Sequence, residues 1–353
     1  MIPLNGVVAC YESSHVPLAL VCASPRVRWA LEEGAEGPVA VGAWSLRLAR
    51  DGTRRVTWRP PVALRHLNMA GAMRSVAWWC NRPAANSSEY LPTELGIVAA
   101  GEHIGKCLHG VFAFRSLVAL SLRRADIEDV NVLGKLPMLK KLDLVQARVV
   151  DCGIVGLGES MSLVDVDLWG CSALTDVNTL GSIPTLERLV LAETRASDSG
   201  IAGLSNSSSL REVNLEVCNV VKSVGIFGRL PTLQTLLLVT TLVDSSGISE
   251  LRQSRSLVEI DLWGCDAVDD VGPLGSIPTL RRLDLFGTSV TNEGIIGLGA
   301  SRSLEEIDLT RCEAVSDVNV LANIPTLRHL VLLHTSVHDV AALFMMLQVT
   351  VVM

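Results

Sequence analysis

Residues 163–185 read LVDVDLWGCSALTDVNTLGSIPT, and residues 186–209 read LERLVLAETRASDSGIAGLSNSSS. The pair is a double unit that recurs along the chain: Leu163, Leu210, Leu257 and Leu304 open one half, and Leu139, Leu186, Leu233, Leu280 and Leu327 open the other. Each half begins L-x-x-L-x-L, with Ile or Val allowed in the middle, and ten such units follow from Leu117. Repeats of about 20–30 residues mark a solenoid. Within x-L-x-L-x the two apolar residues point to one face of a short strand and their neighbours to the other. One such strand cannot bury its apolar face alone, so successive units stack as a parallel sheet over a shared core.

The two halves return differently. The shorter carries Pro184, Pro231, Pro278 and Pro325, which suit a chain reversal where no ladder hydrogen bond is lost. In the longer, Ile201 with Leu204 and Ile295 with Leu298 are spaced for a short helical or 3-10 turn on the convex side. Its glycines, Gly200, Gly247 and Gly294, are expected at reversals with positive φ.

L-x-x-L-x-L-x-x-C/T resembles the leucine-rich repeat. The longer half is similar to cysteine-containing and ribonuclease-inhibitor-like repeats, the shorter, with D-V-x-x-L-x-x-I-P, to internalin-like ones. The alternation of W-G-C…D-V with D-x-G-I is similar to leucine-rich repeat proteins of trypanosomatids. The resemblance covers residues 95–353 and implies an α/β solenoid: a horseshoe or arc of about ten repeats, with a parallel concave sheet and a convex side of loops and short helices. It implies binding of macromolecules and no particular chemistry.

Composition agrees with a leucine-filled stack: 49% of the 353 residues are hydrophobic and only 4% aromatic. No apolar run approaches the length of a membrane span, and residues 16–23 lack the basic flank of a signal peptide. Residues 1–110 carry 11 Lys/Arg and 8 Asp/Glu, against 19 and 29 in the remainder. An acidic repeat region keeps the solenoid soluble or meets a protein partner with a basic surface. It disfavours nucleic acid, whose phosphates need clustered positive charge.

Residues 1–94 read as an N-terminal cap or a small β-containing module, separate from the solenoid of residues 95–353. Asp51-Gly52, flanked by alternating Trp44, Leu46, Leu48 and by Val56, Trp58, is a hairpin signal. Trp29, Trp78 and Trp79 add to the aromatic density of this part. Residues 64–69 have the form of a degenerate repeat strand, residues 81–88 that of a loop, and residues 95–116 that of a decayed return path. The apolar stretch 340–353 lacks a polar cap. It covers itself with its own terminal segment, meets another subunit, or stops at an arbitrary boundary, and the oligomeric state stays open.

Cys171, Cys218, Cys265 and Cys312 recur at one position of alternate units, with Thr194, Thr241, Thr288 and Thr335 between them. Cysteines two rungs apart are separated by about 9.6 Å, twice the strand spacing. That exceeds the reach of a disulfide and of shared zinc ligation. The column therefore reads as an inward ladder whose hydroxyls bond backbone carbonyls. Nine cysteines, an odd number with no C-x-x-C, favour a reducing, cytoplasmic setting. His329, His334 and His338 fall on a strand and its following loop and do not form a metal-ligand pattern. Nucleotide-binding, hydrolase and zinc-protease signatures are absent, and no cofactor, metal or catalytic residue is expected.

What remains is the outward face of the sheet. Its rows include Asp165, Asp167, Trp169; Arg188, Val190, Ala192; Glu259, Asp261, Trp263; Arg282, Asp284, Phe286; and Glu306, Asp308, Thr310. Aromatics ringed by charge are the stuff of interface hot spots. The expectation is a non-enzymatic scaffold whose partner lays Lys or Arg against Glu259, Asp261 and Asp284 while an apolar group meets Trp263 and Phe286. The partner-binding set is completed by Asp165, Asp167, Trp169, Arg282 and Asp308. An adaptor of a ubiquitin ligase, recruiting through residues 1–94, is the alternative, although no F-box-like helical pattern occurs there.

Overall fold

A computed structural model describes residues 39–41, 44–48, 54–58, 94–97, 117–344 and 349–353. The chain divides into two compact units, residues 1–167 and 168–353.

In the first unit, β1 (Val39–Val41) pairs antiparallel with β2 (Trp44–Leu48), and β2 with β3 (Arg54–Trp58), Trp44 standing opposite Trp58 and Leu46 opposite Val56. The hairpin strands thus pair as the alternation requires. β4 (Glu94–Ile97), β5 (Ala119–Ser121), β6 (Lys141–Asp143) and β7 (Asp165–Asp167) extend the sheet in parallel from β3. β4 corrects the expectation of a return path from residue 95. Leu95 is paired with Leu120 in the ladder, and the alternation of Leu95 and Ile97 around Gly96 is a strand pattern. Residues 64–69 and 81–88, the Asp51-Gly52 turn, and Trp29, Trp78 and Trp79 lie outside the described residues.

The second unit is a parallel ladder of β8 (Arg188–Val190), β9 (Glu212–Asn214), β10 (Thr235–Leu237), β11 (Glu259–Asp261), β12 (Arg282–Asp284), β13 (Glu306–Asp308), β14 (His329–Val331) and β15 (Thr350–Val352). The middle residues from Leu189 to Leu330 stack in register and are buried. At period 2 the residue beyond each strand from β8 to β14 is buried as well, as with Leu262 and Leu285. The apolar stretch near residue 350 joins this ladder, with Val351 opposite Leu330.

Both halves of the repeat return through short helices. The longer half runs through Asp198–Ile201 and Ser245–Ser249, each followed by a 3-10 turn. The shorter half carries 3-10 helices too, at Asn178–Ser182, Gly225–Arg229 and Gly272–Ser276, where only a reversal was expected. Their buried Leu180, Phe227 and Leu274 reach the core beside the stacked leucines.

The glycines correct the expectation of positive φ. Gly200, Gly247 and Gly294 are needed for close approach: a Cβ there would drive into the backbone carbonyls of Thr175, Lys222 and Asp269 on the preceding rung. The left-handed residue lies instead just after the strand. It is Gly170, Gly264 or Gly287 in three rungs, and Glu193, Val217, Thr240, Arg311 or His334 in others.

Candidate functional site

Three adjacent strands, β11, β12 and β13, build one patch on the open face. Asp261, Asp284 and Asp308 stand opposite one another in the ladder, which places their backbones about 4.8 Å apart. Each carboxylate bends back to accept a backbone N–H two residues on: Asp261 from Trp263 at 2.9 Å, Asp284 from Phe286 at 2.9 Å, Asp308 from Thr310 at 2.7 Å. Asp261 and Asp284 therefore hold the segments that carry the aromatics, a role the sequence did not reveal.

In the preceding column two carboxylates, though not Glu306 of β13 among the described residues, are paired within the chain. Arg282 Nη2 lies 2.8 Å from Glu259 Oε2, and Arg188 Nε lies 3.0 Å from Glu212 Oε1. The aspartate column differs. Among the described residues no ion pair reaches Asp261, Asp284 or Asp308. Burial pushes Asp284 up to about 6, opposed by the Phe286 N–H and reinforced by Asp261 and Asp308 on either side. Burial also raises Asp261, with Glu259 and Glu216 adding to it against the Trp263 N–H.

Beside this column Trp263 and Phe286 meet with ring centroids 5.4 Å apart and planes tilted by 31°. Trp263 is 40% exposed. The guanidinium of Arg311 sits 5.6 Å from the Phe286 centroid, within cation–π range. Arg311 was not anticipated, although T-R-C at 310–312 puts a cation where W-G-C has glycine.

Glu259, Asp261, Trp263, Arg282, Asp284, Phe286 and Asp308 are thus brought together. Asp165 and Asp167 belong to β7 of the first unit, and Trp169 to the start of the second; the patch is built without them. Val190, Ala192 and Thr310, expected to project outward, are buried, with exposures of 6%, 1% and 7%. A short side chain on a densely stacked face leaves no surface of its own once longer neighbours flank it.

The cysteine–threonine column forms a chain of shared acceptors behind this face. Thr241 Oγ1 and Cys265 Sγ both donate to the Leu238 carbonyl, at 2.8 and 3.1 Å. Thr194 with Cys218 converge on Leu191, and Thr288 with Cys312 on Leu285, in the same way. Among the described residues no group of three His, Cys, Asp or Glu could hold a metal, and no helix is long and apolar enough to cross a membrane.

The family described as Leucine Rich repeat matches residues 276–299, the segment that contains β12 and Phe286. The unit at residues 276–299 thus matches a leucine-rich repeat, and the other units share its spacing. A comparison with curated proteins returns no match. Among solved structures, an internalin of Listeria monocytogenes is 15% identical over 80% of this chain and 94% of its own, with a TM-score of 0.45. A leucine-rich repeat protein of Leptospira interrogans is 15% identical over 74% and 77%, with a TM-score of 0.48. A plant peptide hormone receptor in complex with RGF2 is 19% identical over 68% and 48%, with a TM-score of 0.47.

Proposed function

We propose that this leucine-rich repeat chain is a non-enzymatic scaffold that captures a protein with a basic surface on the concave face of β11–β13. The observation that carries this is the contrast between two neighbouring columns. Glu259 is neutralised by Arg282 from within the chain, whereas Asp261, Asp284 and Asp308 make backbone hydrogen bonds and meet no cation among the described residues. An uncompensated row of carboxylates beside an exposed tryptophan offers a partner both charge and apolar contact. The carboxylates attract Lys or Arg, while Trp263 and Phe286 take the stem or a neighbouring apolar group. Thiols such as Cys265, bonded to carbonyls and not to each other, support a reducing, cytoplasmic setting. The ligase-adaptor alternative recruits through residues 1–94, most of which lie outside the described residues, and no feature of the patch favours it.

The test is affinity capture with the full chain and with W263A/F286A, both checked for an unchanged circular dichroism spectrum. Loss of the basic partner in the double variant supports the surface; equal capture disposes of it.

A further inference from the structure

We infer that the partner's anchoring residue is an arginine, seated over Val239 with its guanidinium flat against Trp263, its N–H edge on Asp261, and Glu216 closing the far side. The inference rests on the capture reading above, extends its surface to the rungs of β9 and β10, and names the side chain that the partner presents.

Register builds the slot. Leu237 is paired with Asn214 on one side and with Asp261 on the other. The ladder continues past the strands, where Val217 N donates to the Val239 carbonyl at 2.8 Å and Thr240 N to the Trp263 carbonyl at 2.7 Å. Glu216, Val239 and Trp263 therefore stand in one row on successive rungs, about 4.8 Å apart. The middle member is the shortest, so the row has a carboxylate wall, a low floor and an indole wall. Trp263 keeps 40% of its surface exposed.

The chain itself shows what the aromatic wall accepts. Beyond Trp263 the row continues with Phe286, its ring centroid 5.4 Å away. The guanidinium of Arg311, from the following rung, lies 5.6 Å from the Phe286 centroid. One end of the aromatic pair thus already carries an arginine. A group over Val239 meets Trp263 from the other end at the distance of one rung, about 4.8 Å, the same kind of step.

Charge selects the occupant. Asp261 uses Oδ1 to accept the Trp263 N–H. Among the described residues neither its Oδ2 nor the Glu216 carboxylate makes a hydrogen bond or an ion pair. The two acids are close enough that, after burial and Glu259, Glu216 adds to the rise of Asp261. A guanidinium carries five N–H donors in one plane, so its edge serves a carboxylate while its face rests on a ring. An ammonium is a compact point charge without a face, and once turned to the carboxylates it offers the ring only its stem.

The test uses fluorescently labelled hexa-arginine and hexa-lysine, which carry equal charge, titrated against the full chain by fluorescence polarisation in about 150 mM salt. Hexa-arginine should bind about tenfold more tightly. Trp263→Leu keeps an apolar side chain without an aromatic face. It should bring hexa-arginine to the hexa-lysine level and leave hexa-lysine nearly unchanged, while Trp263→Phe retains most of the preference. Glu216→Gln should weaken hexa-arginine several-fold. Glu306→Gln, the same charge change on the rung of β13, away from Val239, should not.

Equal affinity of the two peptides for the native chain, binding of neither, or a preference that survives Trp263→Leu overturns the inference. Any of these together with loss of capture in W263A/F286A leaves the scaffold reading standing. If capture too is unaffected, both fall.

Discussion

The Cys265 thiol lies 3.4 Å from the Thr241 hydroxyl of the preceding rung, and both donate to the carbonyl of Leu238. This carbonyl has two lone pairs, so one acceptor serves two rungs and ties them beneath the sheet without a covalent bond. Removing the sulfur in Cys265→Ala leaves a void in a fully buried position and deletes one of the two bonds. We expect a loss of about 1–2 kcal/mol in urea unfolding.

The same burial makes the ladder thiols unreactive. It pushes Cys218, Cys265 and Cys312 above the ordinary thiol value, against the lowering effect of the threonine hydroxyls. Cys152, by contrast, is exposed. Brief iodoacetamide treatment of the native chain, read by peptide mass mapping, should label Cys152 and spare those three, which should react only after denaturation. Early labelling of Cys265 would contradict the ladder.

Glycine has opposite meanings at two places in the repeat. At Gly200 a methyl group would strike the Thr175 carbonyl, and Gly200→Ala should lose about 2–3 kcal/mol. Val217, a β-branched residue at φ 57°, sits where other rungs use glycine. Val217→Gly should gain about 1 kcal/mol by relieving the left-handed strain. Denaturant midpoints of the two variants should move in opposite directions.

Ser245 clamps the next rung. Its hydroxyl accepts from Asp269 N at 3.0 Å and Asp270 N at 2.9 Å and donates to Asp269 Oδ1 at 2.5 Å. Asp198 and Asn292 do the same work in the corresponding places, each receiving two backbone N–H groups. Ser245→Ala should therefore cost about 1–2 kcal/mol, while Ser245→Asn should be near neutral.

Asp284 links stability and capture to pH with opposite signs. Its value in the fold, about 6, is above the ordinary 3.8, so between these values the native chain holds a proton that the unfolded chain has released. Its contribution to stability accordingly improves as pH falls from about 6 towards 3.8. Above about 6 the buried charge is a burden. Asp284→Asn should raise Tm at pH 7.5 by about 2 °C and flatten the pH dependence between the two values. Capture of a basic partner by the wild type should instead weaken as pH drops through about 6, because the protonated carboxyl no longer attracts a cation.

The interval between leucines by itself determined that Ile260, Leu283 and Ile307 stack in one buried column, because a period of two leaves an isolated strand with an apolar face it cannot hide. It determined the rows of the open face as well, and hence that Trp263 and Phe286 would meet. It also placed the cysteines and threonines in one inward column, since equivalent positions of a stack share an environment. Only the tertiary structure decided that positive φ falls just after the strand, and why Gly200 must be glycine, the latter because it depends on how closely one rung lies against the next. Only there do Asp261 and Asp284 turn back to hold the backbone, Arg311 reach over Phe286, and Val190 and Ala192 lose their surface. Periodicity states which side of a strand a residue leaves from; the atoms it then meets lie two residues on, as for Asp261 and Asp284, or on a neighbouring rung more than twenty residues away, as for Arg311 and Phe286.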